Sequence, residues 1–116
     1  MTDVTQATEQ LLEAMRQTDE YRRYAAAKQT VAADAEQSAL LRRFLRAQTA
    51  VQMAALSGAE AREADVTAFE ALSALVYASD ELTEFLLAQM SVQQLVAKTM
   101  ERVTREVGLE IELPEC

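Results

Sequence analysis

The chain has 116 residues, half of them apolar but only six aromatic, with no histidine, one cysteine and a net charge of −8. That charge argues against a nonspecific nucleic-acid or anionic-membrane surface, since polyphosphate binding rests on Lys and Arg. The missing histidine removes the usual general base, the Ser-His and Cys-His nucleophile pairs and the commonest transition-metal ligand.

Gly58, Gly108 and Pro114 are the only glycines and proline. β-turns, hairpins and phosphate-cradling loops need positive φ or a preset kink, so such a chain has few places to build them. It is rich instead in Ala, Leu, Glu, Gln, Arg and Met, which lose least on entering a helix. The expected fold is all-α: an antiparallel bundle of four to five helices with a long C-terminal helix. One helical domain is expected over residues 1–109, with a short acidic tail at 110–116. No apolar run approaches the ~20 residues of a membrane span. The opening MTDVTQATEQ lacks the basic and apolar parts of a signal peptide. A cytoplasmic protein is expected.

The first helix is predicted from Asp3 to Gln17, with Val4, Ala7, Leu11 and Met15 at helical spacing. Thr18 suits an N-cap, and Asp19 and Glu20 then sit at the favourable end of the helix dipole. Tyr21, Tyr24, Ala27 and Val31 follow; the first two helices are either separate or one bent rod. Asp34 with Gln37 reads as a capping box. It opens a third helix to about Ser57, with Leu40, Leu41, Phe44, Leu45, Val51 and Ala55 expected to face inward, and Gly58 is the natural C′ residue. After an acidic connection from Ala59 to Asp65, Val66, Phe69, Leu72, Leu75 and Val76 mark a fourth helix.

Ser79 caps the last and longest helix, to about Val107 before Gly108, a rod of roughly 40 Å. Leu82, Leu86, Gln89, Gln93, Val96, Met100, Val103 and Val107 recur at heptad spacing along it. Phe85, Val92 and Leu95 widen that seam. Residues 18–31 echo residues 79–92 in cap, acidic pair, large residues, Ala27 with Ala88 and Val31 with Val92. The echo is either shared helix-start grammar or an ancient hairpin duplication.

The carboxylates fall at helix starts (Asp19, Glu20, Asp80, Glu81, Glu84) or in the connection (Glu60, Glu63, Asp65). A di-metal centre needs inward-facing acids paired with histidines, and no metal ligands are assigned. Arg42, Arg43 and Arg46 are the one basic cluster. Residues 16–46 carry seven bases and four acids, whereas residues 57–84 carry one base and seven acids. Complementary fields, within the bundle or across a subunit contact, account for this better than an RNA-binding stripe. Phe44 is the sole aromatic among the arginines, and it falls at a core position. Gln48, Gln52, Gln89, Gln93 and Gln94 lie on or beside the seams and are expected to hydrogen-bond across helices, fixing register.

Three stretches carry a family resemblance: Thr18-Asp19-Glu20-Tyr21 with Tyr24; Asp34 leading into Leu40-Leu41-Arg42-Arg43-Phe44 and a Gln-rich helix ending near Gly58; and the long last helix with Ser79, Phe85-Leu86, Ala88 and Val96. In that order and spacing, from Asp3 to Leu109, the chain resembles the YlbF/YmcA (YheA/YmcA/YlbF) family of small bacterial helical proteins. The resemblance implies a non-enzymatic regulatory or scaffolding protein. In one branch such proteins join an unrelated subunit in a complex that modulates RNA processing by a membrane-anchored endoribonuclease, affecting competence, sporulation and biofilm formation. C-terminal cysteines in that branch serve iron–sulfur clusters. Here only Cys116 stands at that end, so a cofactor would be a cluster shared within a hetero-complex. The alternative is a self-associating structural helical module. A homodimer is expected, with family paralogues and an endoribonuclease-associated complex as further partners and no direct contact to nucleic acid or membrane. Its interaction surface is expected to comprise Arg42, Arg43 and Arg46 with Val96, Met100 and Val103 of the last helix.

Overall fold

A computed structural model describes residues 3–58, 60 and 62–108. Five helices run along the chain: α1 Val4–Arg16, α2 Asp19–Ala32, α3 Ala35–Leu56, α4 Glu63–Tyr77 and α5 Asp80–Val107. No strand occurs among the described residues. The fold is all-α with a long last helix.

Each boundary has a local cause. Asp3 accepts the Gln6 N–H at 2.8 Å and Gln6 Oε1 accepts the Asp3 N–H at 3.3 Å, a reciprocal capping box at the start of α1. The α1–α2 junction is a break. Thr18 Oγ1 donates to the Met15 carbonyl at 2.6 Å and accepts the Tyr21 N–H at 3.2 Å, closing one helix and opening the next. Gly58 and Gly108 take positive φ, 74° and 83°, and end α3 and α5. Helix α4 begins at Glu63 without a side-chain cap. Glu63 and Asp65 therefore lie in its first turn, where the dipole favours them, and not in the connection.

The capping box expected at Asp34 is only half formed. Asp34 accepts from the Glu36 and Gln37 N–H groups at 3.0 and 3.1 Å, but Gln37 does not reach back. Its Oε1 accepts from Ser79 Oγ at 3.0 Å, and its Nε2 donates to Glu81 at 3.3 Å. Ser79 in turn caps α5 by accepting the Leu82 N–H at 3.2 Å. One carboxamide thus ties the start of α3 to the start of α5. Ser79→Ala is expected to cost about 1–2 kcal/mol, since it removes both the cap and the tether; urea unfolding checks it.

Helices α2 and α5 pack as an antiparallel pair. Arg23 meets Glu84 and Tyr24 meets Phe85, with ring centroids 5.6 Å apart, while Glu20 lies beside Gln94 and Lys98. Tyr24 and Phe85 are mates in the sequence echo, and so are Ala27 and Ala88, both buried. Tyr24 and Phe85 meet where the two helices cross, while Ala27 lies beside Asp80, Glu81 and Glu84. Helices α3 and α4, joined by residues 57–62, form the second pair. Phe44 stacks on Phe69 at 5.5 Å and meets Tyr77 edge-on at 6.3 Å.

The core lies where the pairs join: Ala27 and Val31, Leu41 and Phe44, Leu72 and Val76, then Leu82, Phe85 and Ala88. It is thin. The radius of gyration is 18.7 Å and the extents are 50 × 45 × 19 Å, against about 13 Å for a compact chain of this length. Leu40 and Leu45 are half-buried as expected, but Ala55, expected to face inward, is exposed and Val51 only half-buried. Leu75 is 56% exposed. The further half of α3 runs out past the core, so its inward stripe is only partly covered there. Helix α1 buries no residue, and Val4 is 83% exposed.

Candidate interaction surfaces

Three surfaces are available for contacts. Arg42, Arg43 and Arg46 are all exposed on α3. None forms an ion pair among the described residues, and the link between the basic and acidic stretches is made instead by Arg23. Its Nε and Nη2 both donate to Glu84 Oε1, at 3.2 and 2.6 Å. That pair is half-exposed on both sides and contributes at most about 1 kcal/mol. Arg42 and Arg46, one turn apart, repel by a few tenths of a kcal/mol. The fold thus carries a small electrostatic cost that an acidic partner surface would offset. Phe44, between the arginines in sequence, is 2% exposed and cannot stack on a base.

The second surface is the outer half of α5. Val96, Met100 and Val103 are 42%, 51% and 43% exposed, and Val107 more so. The seam residues Leu82 and Leu86 are covered within the chain; the same stripe then continues uncovered to the helix end. Helix α1 covers only its beginning, where Leu12, Met15, Tyr21, Val92, Leu95 and Val96 line a cavity of about 270 Å³. Composition and spacing showed this stripe as a seam but gave no sign of where cover stops.

The third surface is a cleft of about 300 Å³ between α3 and α5, lined by Gln48, Gln52, Gln89 and Gln93 with Phe44, Tyr77, Leu86 and Met90. These glutamines were expected to hydrogen-bond across helices. Among the described residues none of the four does so, and neither does Gln94, which faces a different cavity with Glu20 and Lys98. The carboxamides line the cleft from its two walls without a bond between them. The cross-helix role belongs to Gln37, whose position three residues after Asp34 concealed it as a capping residue.

Among the described residues no group of three or more His, Cys, Asp or Glu side chains is placed to hold a metal. Cys116 and the acidic tail lie outside the described residues. No helix is long and apolar enough to cross a membrane among those residues.

Comparison with known proteins gives a family match. The family described as "Control of competence regulator ComK, YlbF/YmcA" matches residues 4–108. Two curated relatives, each called "UPF0342 protein", come from Caldicellulosiruptor saccharolyticus and Caldicellulosiruptor bescii. Both are 22% identical over 113 residues, covering 97% of this chain and 94% and 95% of theirs.

Proposed function

The chain belongs to the YlbF/YmcA family, and from that membership we propose a non-enzymatic regulatory protein acting through protein–protein contacts, as a subunit of a complex that modulates endoribonuclease-dependent RNA processing. The observation that carries this is the amount of contact surface left open by a small chain: an apolar stripe on α5 and an arginine cluster without a counter-charge among the described residues. The family's description as a control on the competence regulator ComK agrees with a regulatory role. With no histidine in the chain, the surfaces bind and position partners instead of transferring protons. The partners are a second copy of the chain, family relatives and an acidic face of the ribonuclease-associated complex; the arginines meet that face, not RNA.

Affinity capture from the native host, with mass spectrometry of the captured proteins, tests this. Wild-type chain is expected to bring down family relatives and a ribonuclease. Arg42→Glu/Arg43→Glu/Arg46→Glu is expected to lose them by tenfold or so with unchanged helicity. Capture of the chain alone would leave only the structural self-associating module.

An iron–sulfur cluster does not fit this chain by itself. Clusters take several thiolates, typically four, and the chain has Cys116 only. The purified chain is expected to be colourless. If a hetero-complex with relatives is coloured, Cys116→Ser tests its share: loss of colour assigns Cys116 to a shared cluster, and retention makes it incidental.

A further inference from the structure

The corner where α2 turns into α3 holds a notch of about 170 Å³, open to solvent on one side. Its floor is core: Val31, Leu41 and Phe85 are 4%, 8% and 6% exposed. The Ser38 hydroxyl, which also lines it, donates to the Val31 carbonyl at 2.8 Å. That bond satisfies the hydroxyl and ties α3 to the end of α2, so the notch is formed before anything enters it. Two cations from different helices stand on its rim, Lys28 of α2 and Arg42 of α3, both exposed. Neither is ion-paired among the described residues. Lys28 Nζ lies 5.9 Å from the centroid of the Tyr24 ring, a contact that steadies the ammonium without cancelling its charge. No carboxylate lines the notch among the described residues. The other flank of α2 has the opposite sign: Ala27 and Thr30 face a cavity lined by Asp80, Glu81 and Glu84.

We infer that this notch receives an acidic segment of a partner protein, one large apolar side chain entering the floor and the carboxylates on either side of it meeting Lys28 and Arg42. A cavity of about 150 Å³ holds a benzene-sized group, so this one takes a single leucine or phenylalanine side chain. An apolar anchor in a formed pocket supplies most of the affinity of such a contact, and the charges around it set orientation. The net charge of −8 repels an acidic segment over much of the surface, which makes two unpaired cations beside an apolar opening selective for where it lands. Nucleic acid fits the notch less well. Phe85 is buried against Tyr24, with ring centroids 5.6 Å apart, so no ring is free in the floor to stack on a base. The inference rests on the proposed contact function and deepens it. Arg42 belongs to the cluster assigned there to an acidic face; the notch adds Lys28, the anchor and the form of the partner's segment.

The probe is a short fluorescein-labelled peptide with a central leucine flanked by glutamate pairs, its binding to the purified chain read by fluorescence anisotropy. Saturable binding is expected, weakening as salt screens the rim. Replacing the leucine of the probe by serine is expected to raise Kd about tenfold or more. Lys28→Glu and Arg42→Glu should each do the same. Ala32 is exposed and lines the notch, so Ala32→Met fills it without changing charge and should also lose about tenfold, with the circular dichroism of wild type. Arg43 is exposed on α3 but does not line the notch, and Arg43→Glu should stay within about threefold of wild type. A wild-type chain that does not bind the probe overturns the inference; if affinity capture still brings down partners, the contact function stands without the notch. Indifference to the leucine, or equal losses from Arg42→Glu and Arg43→Glu, would mean attraction between charges without a site and overturns it too. So does tighter binding of a uridine oligonucleotide through Lys28 and Arg42, or a change in the chain's own oligomeric mass on Lys28→Glu, which gives the notch to a second copy.

Discussion

Phe44→Ala is expected to leave most of the chain unfolded at physiological temperature. Phe44 is 2% exposed and sits between Phe69 and Tyr77, at 5.5 and 6.3 Å. Removing a buried phenylalanine costs about 3–5 kcal/mol, the lost transfer energy plus the cavity left behind. Domains hold only about 5–15 kcal/mol in total, and a chain with nine buried core residues among those described belongs near the lower end of that range. Helix α3 would also lose its main hold on α4, since both aromatic contacts within that pair pass through this ring. Thermal melting by circular dichroism checks the expectation; a midpoint within a few degrees of wild type would mean that the α3–α4 pair is held elsewhere.

Met100→Glu is expected to abolish self-association while leaving the protomer folded. From the sequence alone the substitution would either break the oligomer or unfold the chain. The structure separates these outcomes: Met100 is 51% exposed, so an isolated protomer keeps a glutamate there in water. In a closed seam the same carboxylate would be buried without a partner, which costs several kcal/mol, and an association constant should fall by about a hundredfold or more. Sedimentation or light scattering reads the mass and circular dichroism the fold. Val103→Glu should behave alike. Unchanged mass in both variants would remove this stripe from the interface, and loss of helicity would mean that α5 needs it within the protomer.

The candidate surfaces were legible in the sequence to different degrees. Arg42, Arg43 and Arg46 are exposed as a run of charge on a helix usually is, and the seam through Val96, Met100 and Val103 was visible from spacing. The sequence did not distinguish covered from open parts of that seam, because Leu86 and Met100 are equally apolar and equally in register. Gln37 was misread for a related reason. Its spacing from Asp34 is that of a capping box, but Ser79 and Glu81, more than 40 residues away in sequence, compete for the same carboxamide and hold it. The α1 capping box, Asp3 with Gln6, has the same local signature and does close reciprocally.

Local chemistry by itself determined the helices of this protein: the scarcity of glycine and proline, the caps Thr18, Asp34 and Ser79, and the stops Gly58 and Gly108 act within a few residues of where they stand. Helix propensity and capping are short-range effects, and a chain this free of competing signals expresses them directly. Only the tertiary structure decided which faces are covered. The pairing of α2 with α5 and of α3 with α4 leaves α1, the far end of α3 and the outer half of α5 beyond the core. Burial depends on where a neighbour lies, and residues distant along the chain set that. The same α5 heptad therefore closes into the core at its start and stands exposed at its outer end.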